Sequence, residues 1–402
     1  MSWQVAVKKN IFLVLSILFV PISHIVKKGK VVILQTRSRK VYCDNTKYLY
    51  ESLSEMKNIE VYWLTDNRDV KQYIKDKNWN YITWSNPIKM IIIALRAKVV
   101  VDNGGKFFNP FGITGIKSVV KICLGHGSGP KATLHRTHNI ETALNQIIDI
   151  NKFDYVNFTS EYFADNMGKK TYFLPNEKIL TLAYPRCDAF FDDVKVKKSH
   201  QRRKLSRLFY PSITSDDMVV LYTPTWRPYK YSFPLCEMPG FSFEDFDDWL
   251  KLNNFIFFYT VHSNMLPENL PINLNRVVFI DSDSNPLFDV NEFMLEVDLL
   301  VNDYSTTSTD FSILNRPQVF YMPDYERYNA EKCFLEPYRD IMPGYEVVKY
   351  EEFKELMLSA GLNPESYVGQ YQEKIDRLQE KYYDTGSKHA TKDLAKFISK
   401  LL

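Results

Sequence analysis

The chain has 402 residues, 45% hydrophobic, 15% aromatic and 25% charged, which permits a large buried core, excludes a disordered chain and favours two domains. A formal net charge of +3 gives no reason to expect a nucleic-acid partner. Five scattered cysteines, Cys43, Cys123, Cys187, Cys236 and Cys333, form no C-x-x-C pair, so they read as reduced thiols and neither a metal site nor a disulfide framework is expected.

An apolar run at 11–22 opens the chain, preceded by Lys8 and Lys9 and followed by Lys27, Lys28 and Lys30. No small-residue cleavage site follows, and the run falls short of the roughly 20 residues of a spanning helix. It is expected to lie in a membrane interface with its lysines on anionic lipid; a buried core helix is the alternative. From Lys30, short apolar runs alternate with amphipathic stretches. They predict strand 31–34, helix 44–56, strand 61–64, helix 88–96, strand 99–102, strand 119–124, helix 140–150 and strand 154–158. Between 193 and 215, Lys195, Lys197, Lys198, Arg202, Arg203, Lys204 and Arg207 have no acidic neighbour. They form either a solvated face or a second membrane contact. A second series follows: strand 219–222, helix 243–252, strands 255–261 and 277–280, helix 291–296, strand 299–301, helix 310–314, strand 318–321, and helices near 366–383 and 389–402. This alternation predicts two α/β halves with parallel sheets and a cleft at the carboxyl ends of their strands.

The polar residues at those strand ends carry the chemistry. Strand 119–124 runs into Gly125-His126-Gly127-Ser128-Gly129-Pro130-Lys131, where glycines let backbone approach a ligand and His126 is held at a strand end. His135 and His138 lack such a setting and read as surface or packing residues. In the second half, Thr223-Pro224-Thr225-Trp226-Arg227 follows a strand. Arg227 either forks onto a phosphate or pairs with a carboxylate, and Thr225 can donate a hydroxyl. Strand 255–261 delivers His262, a second imidazole suited to proton transfer or to holding a phosphate oxygen. Arg186 and Asp188 read as structural partners. Strand 299–301 leads through Asn302, Asp303 and Tyr304 to Ser305, Thr306 and Thr307. Those hydroxyls either cap a helix or, with its first amides, hold an anion.

The ordered set resembles the CDP-glycerol glycerophosphotransferase family, the teichoic acid primases and polymerases. The residues that carry the resemblance are His126 with Lys131, Tyr184-Pro185-Arg186-Cys187-Asp188, Leu221 to Arg227, His262, Asn291-Glu292, Asp298 to Thr306, Asn315 to Tyr321, and Pro343-Gly344. Gly125 stands where the family usually has Trp, and Thr260 and Ser263 flank His262 where it usually has Arg and Pro. The resemblance implies a GT-B fold of two Rossmann-like domains facing a central cleft. The expected division is a membrane-associating segment at 1–26, an acceptor-side domain at 27–193, a basic linker at 194–215, a CDP-alditol-binding domain at 216–385 and a final helix at 386–402.

The implied reaction transfers glycerol phosphate, or a related alditol phosphate, from a CDP-alditol to a hydroxyl of a polyprenyl-linked saccharide or polyol-phosphate acceptor on the inner membrane face. It releases CMP without metal or other cofactor. His126 and His262 are the expected catalytic residues, and Lys131, Thr225, Arg227, Asp303, Ser305, Thr306 and Thr307 the expected substrate ligands. A glycosyltransferase using a nucleotide sugar and a non-catalytic membrane scaffold remain as alternatives, and whether the chain forms a homo-oligomer is left open.

Overall fold

Runs of Val, Ile, Leu and aromatic residues at strand length separate into two sheets in a computed structural model. The structure describes residues 3–36, 38–131, 140–193, 203–225, 227, 234–261, 274–281, 284–332, 334–384 and 389–402. The first sheet holds β1 (Val31–Gln35), β2 (Glu60–Leu64), β3 (Asn80–Ile82), β4 (Ala97–Asp102), β5 (Val120–Cys123), β6 (Tyr155–Asn157) and β7 (Ile179–Leu180). The second holds β8 (Met218–Tyr222), β9 (Phe255–Val261), β10 (Val277–Asp281), β11 (Leu299–Asn302), β12 (Gln318–Tyr321) and β13 (Tyr345–Val347).

Their orders are β3-β2-β1-β4-β5-β6-β7 and β10-β9-β8-β11-β12-β13, and every pairing is parallel. Central strands such as β1 and β11 are buried along their whole length, which is why they read as continuous apolar runs: helices cover both faces. In each sheet the winding reverses between two neighbours, β1 and β4 in the first and β8 and β11 in the second, and the crevice beyond those strand ends is where such folds bind ligands.

The predicted strands and helices of both halves form, with shifted ends. The helix expected at 310–314 is instead Thr307–Ser312, so it starts directly on the hydroxyl-rich loop. The helix expected across 366–383 is interrupted, as Pro364–Gly369 and Gln372–Tyr383. Helix Tyr350–Leu362, not foreseen, buries Tyr350, Phe353, Met357 and Ala360 against the second sheet. Helix Ala390–Leu401 returns to the first sheet, where Leu394, Ala395 and Ile398 pack with Val32, Leu34 and Leu49. Its first amides, from Ala390 and Thr391, donate to the Asp188 carboxylate at 2.9 Å each, so Asp188 supplies the helix's missing acceptors.

The apolar run at the start lies in helix Trp3–Ile25. One side docks on the first half: Phe19 and Val20 join its core, Phe19 stacks on Phe111, and Ser23 donates to the Ile113 carbonyl at 2.7 Å. Lys28 belongs to this contact, donating to the Leu95 carbonyl at 2.8 Å, with its ammonium pKa lowered by burial. Among the described residues no helix is long and apolar enough to cross a membrane. In the basic segment, residues 194–202 lie outside the description, and Arg203 is neither a solvated nor a lipid-facing cation. It is 4% exposed and bonds the Glu296 and Asp217 carbonyls and the Asp298 carboxylate.

Candidate active site

The loop after β5 crosses from the first half to the second. Gly125 adopts φ +74°, and a Cβ there would lie 2.4 Å from the Tyr184 hydroxyl, so a side chain is excluded while Tyr184 keeps its place. Further along, a Cβ on Gly127 would come within 3.3 Å of Thr306 Oγ1, and one on Gly129 within 2.9 Å of Thr309 Oγ1. The glycines therefore let this backbone lie directly against the start of helix Thr307–Ser312. The end of the loop is fastened there: Leu335 donates its amide to the Pro130 carbonyl at 2.7 Å, and Lys131 forms an antiparallel bridge with Phe334. The Lys131 ammonium sits 5.7 Å from the centre of the Tyr328 ring, within the cluster of Tyr304, Tyr328, Phe334 and Tyr338.

His126 is exposed on this loop. Its Nδ1 is 3.0 Å from the Asn103 carbonyl oxygen. A carbonyl only accepts, so Nδ1 carries the proton of that bond and Nε2 is the basic nitrogen of the neutral ring. Asn103 is itself held, its Nδ2 donating to Asp44 Oδ2 at 2.8 Å. An imidazole oriented in this way is equipped to accept a proton from a hydroxyl.

The second half's residues, gathered where β8 and β11 end, are arranged differently. Asp303 is fully buried and accepts from the Thr225 amide and hydroxyl and from the Ser305 amide, at 2.7–3.2 Å. Arg227 is 2% exposed. Its fork lies on Asp324, with Nε and Nη2 at 2.6 and 3.0 Å, while Nη1 is 2.8 Å from both Asp303 and the Thr225 carbonyl. The Thr307 hydroxyl pairs with Thr223 at 2.8 Å. Thr225, Arg227, Asp303 and Thr307 thus all bond to groups of the protein itself. The reason is carboxylate supply: Asp303 and Asp324 already neutralise the one guanidinium, and burial of unpaired charge is costly. Ser305 and Thr306 are left half-buried at the loop surface. Ser305 makes one long contact, accepting the Thr307 amide at 3.4 Å, and Thr306 makes no side-chain cap bond.

His262 lies outside the described residues, as do His135, His138 and Trp226. Among the described residues no group of His, Cys, Asp and Glu is placed to hold a metal ion. Sequence reading undervalued Arg186. It is 3% exposed and joins Asp44 of the first half to Asp310 of the second, at 2.7 and 2.8 Å. Burial raises the Asp310 carboxyl above the usual carboxylate range, with the Arg186 guanidinium opposing that shift. The signal in the sequence was an arginine amid apolar and aromatic neighbours at 184–191, with no exposed pattern to explain it.

Comparison with known proteins gives a consistent picture. Residues 17–400 match the family model for CDP-glycerol:poly(glycerophosphate) glycerophosphotransferase. The chain is similar to the teichoic acid glycerol-phosphate primase of Bacillus subtilis (strain 168), 26% identical over 271 residues, covering 64% of each chain. It is also similar to the teichoic acid poly(glycerol phosphate) polymerase of Staphylococcus epidermidis, 25% identical over 411 residues, covering 93% of this chain and 51% of that protein. It therefore spans about half to two thirds of the length of these curated relatives. A solved variant of the wall teichoic acid polymerase TagF superposes with a TM-score of 0.75 at 21% identity, covering 99% of this chain and 95% of that one. A further TagF variant, soaked with CDPG, gives 0.71 at 21% identity over 93% and 89% of the two chains. The α/β fold with two parallel sheets is thus GT-B-like and similar to that of TagF.

Proposed function

The chain belongs to the CDP-glycerol:poly(glycerophosphate) glycerophosphotransferase family, and from that membership we propose that it transfers glycerol phosphate, or a related alditol phosphate, from a CDP-alditol to a hydroxyl of a lipid-linked acceptor. The observation that carries this reading is the meeting of two loops: Gly127, next to His126, lies against Thr306. A base from the first half and hydroxyls from the second therefore share one site.

The acceptor hydroxyl attacks the β-phosphorus as His126 Nε2 takes its proton. The bond from that phosphorus to the bridging oxygen breaks, and CMP leaves. Ser305 and Thr306 contact the diphosphate, and His262, directly after β9, holds charge on the transferred phosphoryl group. Lys131 adds positive charge beside Tyr328, while Asp303, Arg227, Thr225 and Thr307 keep the loop in shape. Catalysis of this kind is mostly positioning and electrostatics. In this reading the first half faces the acceptor and the second binds the donor.

We also assign the helix at Trp3–Ile25 to an anionic membrane surface. Leu13, Val14, Ile17, Leu18, Ile22 and Ile25 are exposed along it, Ile25 at 84%, and residues 1–43 contain no Asp or Glu. Ile88 and Ile92 on helix Pro87–Arg96, and Ile140, Leu144 and Ile148 on helix Ile140–Asn151, are exposed as well. Phe107 packs against the cores beneath both regions. Such a face suits a monotopic enzyme whose acceptor is anchored in lipid.

The test is CMP release from CDP-glycerol by His126→Ala and His262→Ala. Each is expected to lose a factor of about 10² or more; near wild-type turnover in both would refute the role assignment.

A further inference from the structure

One buried guanidinium connects the His126 loop to the helix that follows the hydroxyl-rich loop. Arg186 Nη1 donates to the His126 carbonyl at 2.8 Å and to Asp44 Oδ1 at 2.7 Å. Nε and Nη2 lie 3.0 and 2.8 Å from Asp310 Oδ2, on the helix that starts at the hydroxyl-rich loop. Asp44 passes the connection on, its other oxygen accepting from Asn103 Nδ2, whose residue's carbonyl orients the His126 ring. Arg186 therefore grips His126 twice, at its backbone directly and at its imidazole through Asp44 and Asn103, and the 305–307 loop through Asp310.

The surroundings indicate that this geometry is maintained deliberately by the fold. Asp44 holds φ +67°, a conformation that non-glycine residues adopt only under constraint. It is kept there by Arg186, Asn103, its bond to the Asn45 amide, and donation of its own amide to Asp289 at 3.0 Å. Asn45 in turn donates to the Gly125 carbonyl at 2.9 Å and accepts the Arg186 amide. On the far side, the Tyr383 hydroxyl bonds Asp310. A guanidinium is suited to this task because its planar fork fixes directions, whereas an ammonium supplies only charge.

We infer that Arg186 is a positioning residue: it sets the distance and angle between the base on His126 and the hydroxyl loop at 305–307 without itself touching substrate. The inference rests on the phosphotransfer reading above. It gives one side chain a part in the spacing between the two halves, beside the Pro130–Leu335 and Lys131–Phe334 contacts. A shift of about 1 Å at a reacting centre is enough to cost about 10² in rate, so loss of the fork is expressed in turnover and not in donor binding.

The experiment compares wild type with Arg186→Lys, which keeps the buried charge and loses the fork, and Asp44→Asn, which cuts the branch towards Asn103. After thermal melting has established that each variant folds, two quantities are read. One is kcat and KM for CMP release from CDP-glycerol at saturating acceptor. The other, with no substrate present, is hydrogen–deuterium exchange of the amides at 125–129. Expected for Arg186→Lys is a fall in kcat of about 10²-fold with KM for CDP-glycerol held within about threefold, together with faster exchange at 125–129; Asp44→Asn gives the same pattern to a smaller extent. Unchanged kcat in both folded variants, equal losses in kcat and donor affinity, or unchanged exchange would overturn the inference. If the wild type releases no CMP, the phosphotransfer reading fails, and the exchange measurement alone still decides whether Arg186 holds the His126 loop.

Discussion

His126 and Arg227 both follow parallel strands at the carboxyl ends of their sheets, yet one is exposed and the other is 2% exposed. The difference lies in their neighbours. The His126 ring lies on a carbonyl oxygen, and the residue sits between glycines that bring backbone, not side chains, against the opposite half. Arg227 finds Asp303 and Asp324 within 3 Å, so its charge and donors are committed to protein groups before any ligand arrives. A strand-end polar residue is thus a candidate for chemistry only after the carboxylates around it are counted.

That contrast separates activity from stability, and mutation can break it. His126→Ala is expected to keep the wild-type melting temperature while CMP release falls. Arg227→Leu should do the reverse first: Asp303 and Asp324 are left buried without their cation, at a cost of about 3–5 kcal/mol, and thermal melting records the loss. If Arg227→Leu melts with the wild type and only loses donor affinity, the framework role is wrong.

A smaller effect is expected at the loop surface. Thr306→Val keeps shape and removes a hydroxyl, which costs about 1 kcal/mol of donor binding. Isothermal titration with CDP-glycerol should show roughly fivefold weaker affinity with no change in melting temperature. For the membrane face, removing residues 1–21 should reduce sedimentation with anionic liposomes; undiminished binding would move the contact to another part of the chain.

The smallest effect concerns a carboxylate far from the site. Burial acts upward on Asp217, but the Thr214 amide, the Arg276 guanidinium and the Thr214 hydroxyl outweigh it and hold its carboxyl below the ordinary range. A depressed folded-state pKa contributes stability that is present above the ordinary carboxylate value of about 3.9 and is lost as pH falls through the lower, folded value. Asp217→Asn should therefore be less stable than wild type at pH 7, and the gap should close as pH falls through the lower, folded value.

Much of the fold was legible because buried parallel strands announce themselves. Helix Phe243–Leu252 and strands Phe255–Val261 and Gln318–Tyr321 lie where apolar spacing puts them. The edge strands β3 and β7, of three and two residues, were not, since half-exposed pairs and triplets carry no periodicity. At the site, the motif order pointed to loops that the structure brings together. It did not show which of their side chains already bond to protein groups, because that depends on partners remote in sequence. Arg227 meets Asp324 across 97 positions, Arg203 meets Asp298 across 95, and Arg186 meets Asp310 across 124. A local reading cannot name the carboxylate that each arginine meets; the fold supplies it.

The most direct measurement is nucleotide release by the wild-type chain on anionic vesicles carrying a polyprenyl-linked acceptor, offered CDP-glycerol, CDP-ribitol and UDP-sugars in turn. Acceptor-dependent CMP from a CDP-alditol, with no UDP from the sugars, is the expected result. UDP release without CMP would contradict it and assign this fold to sugar transfer.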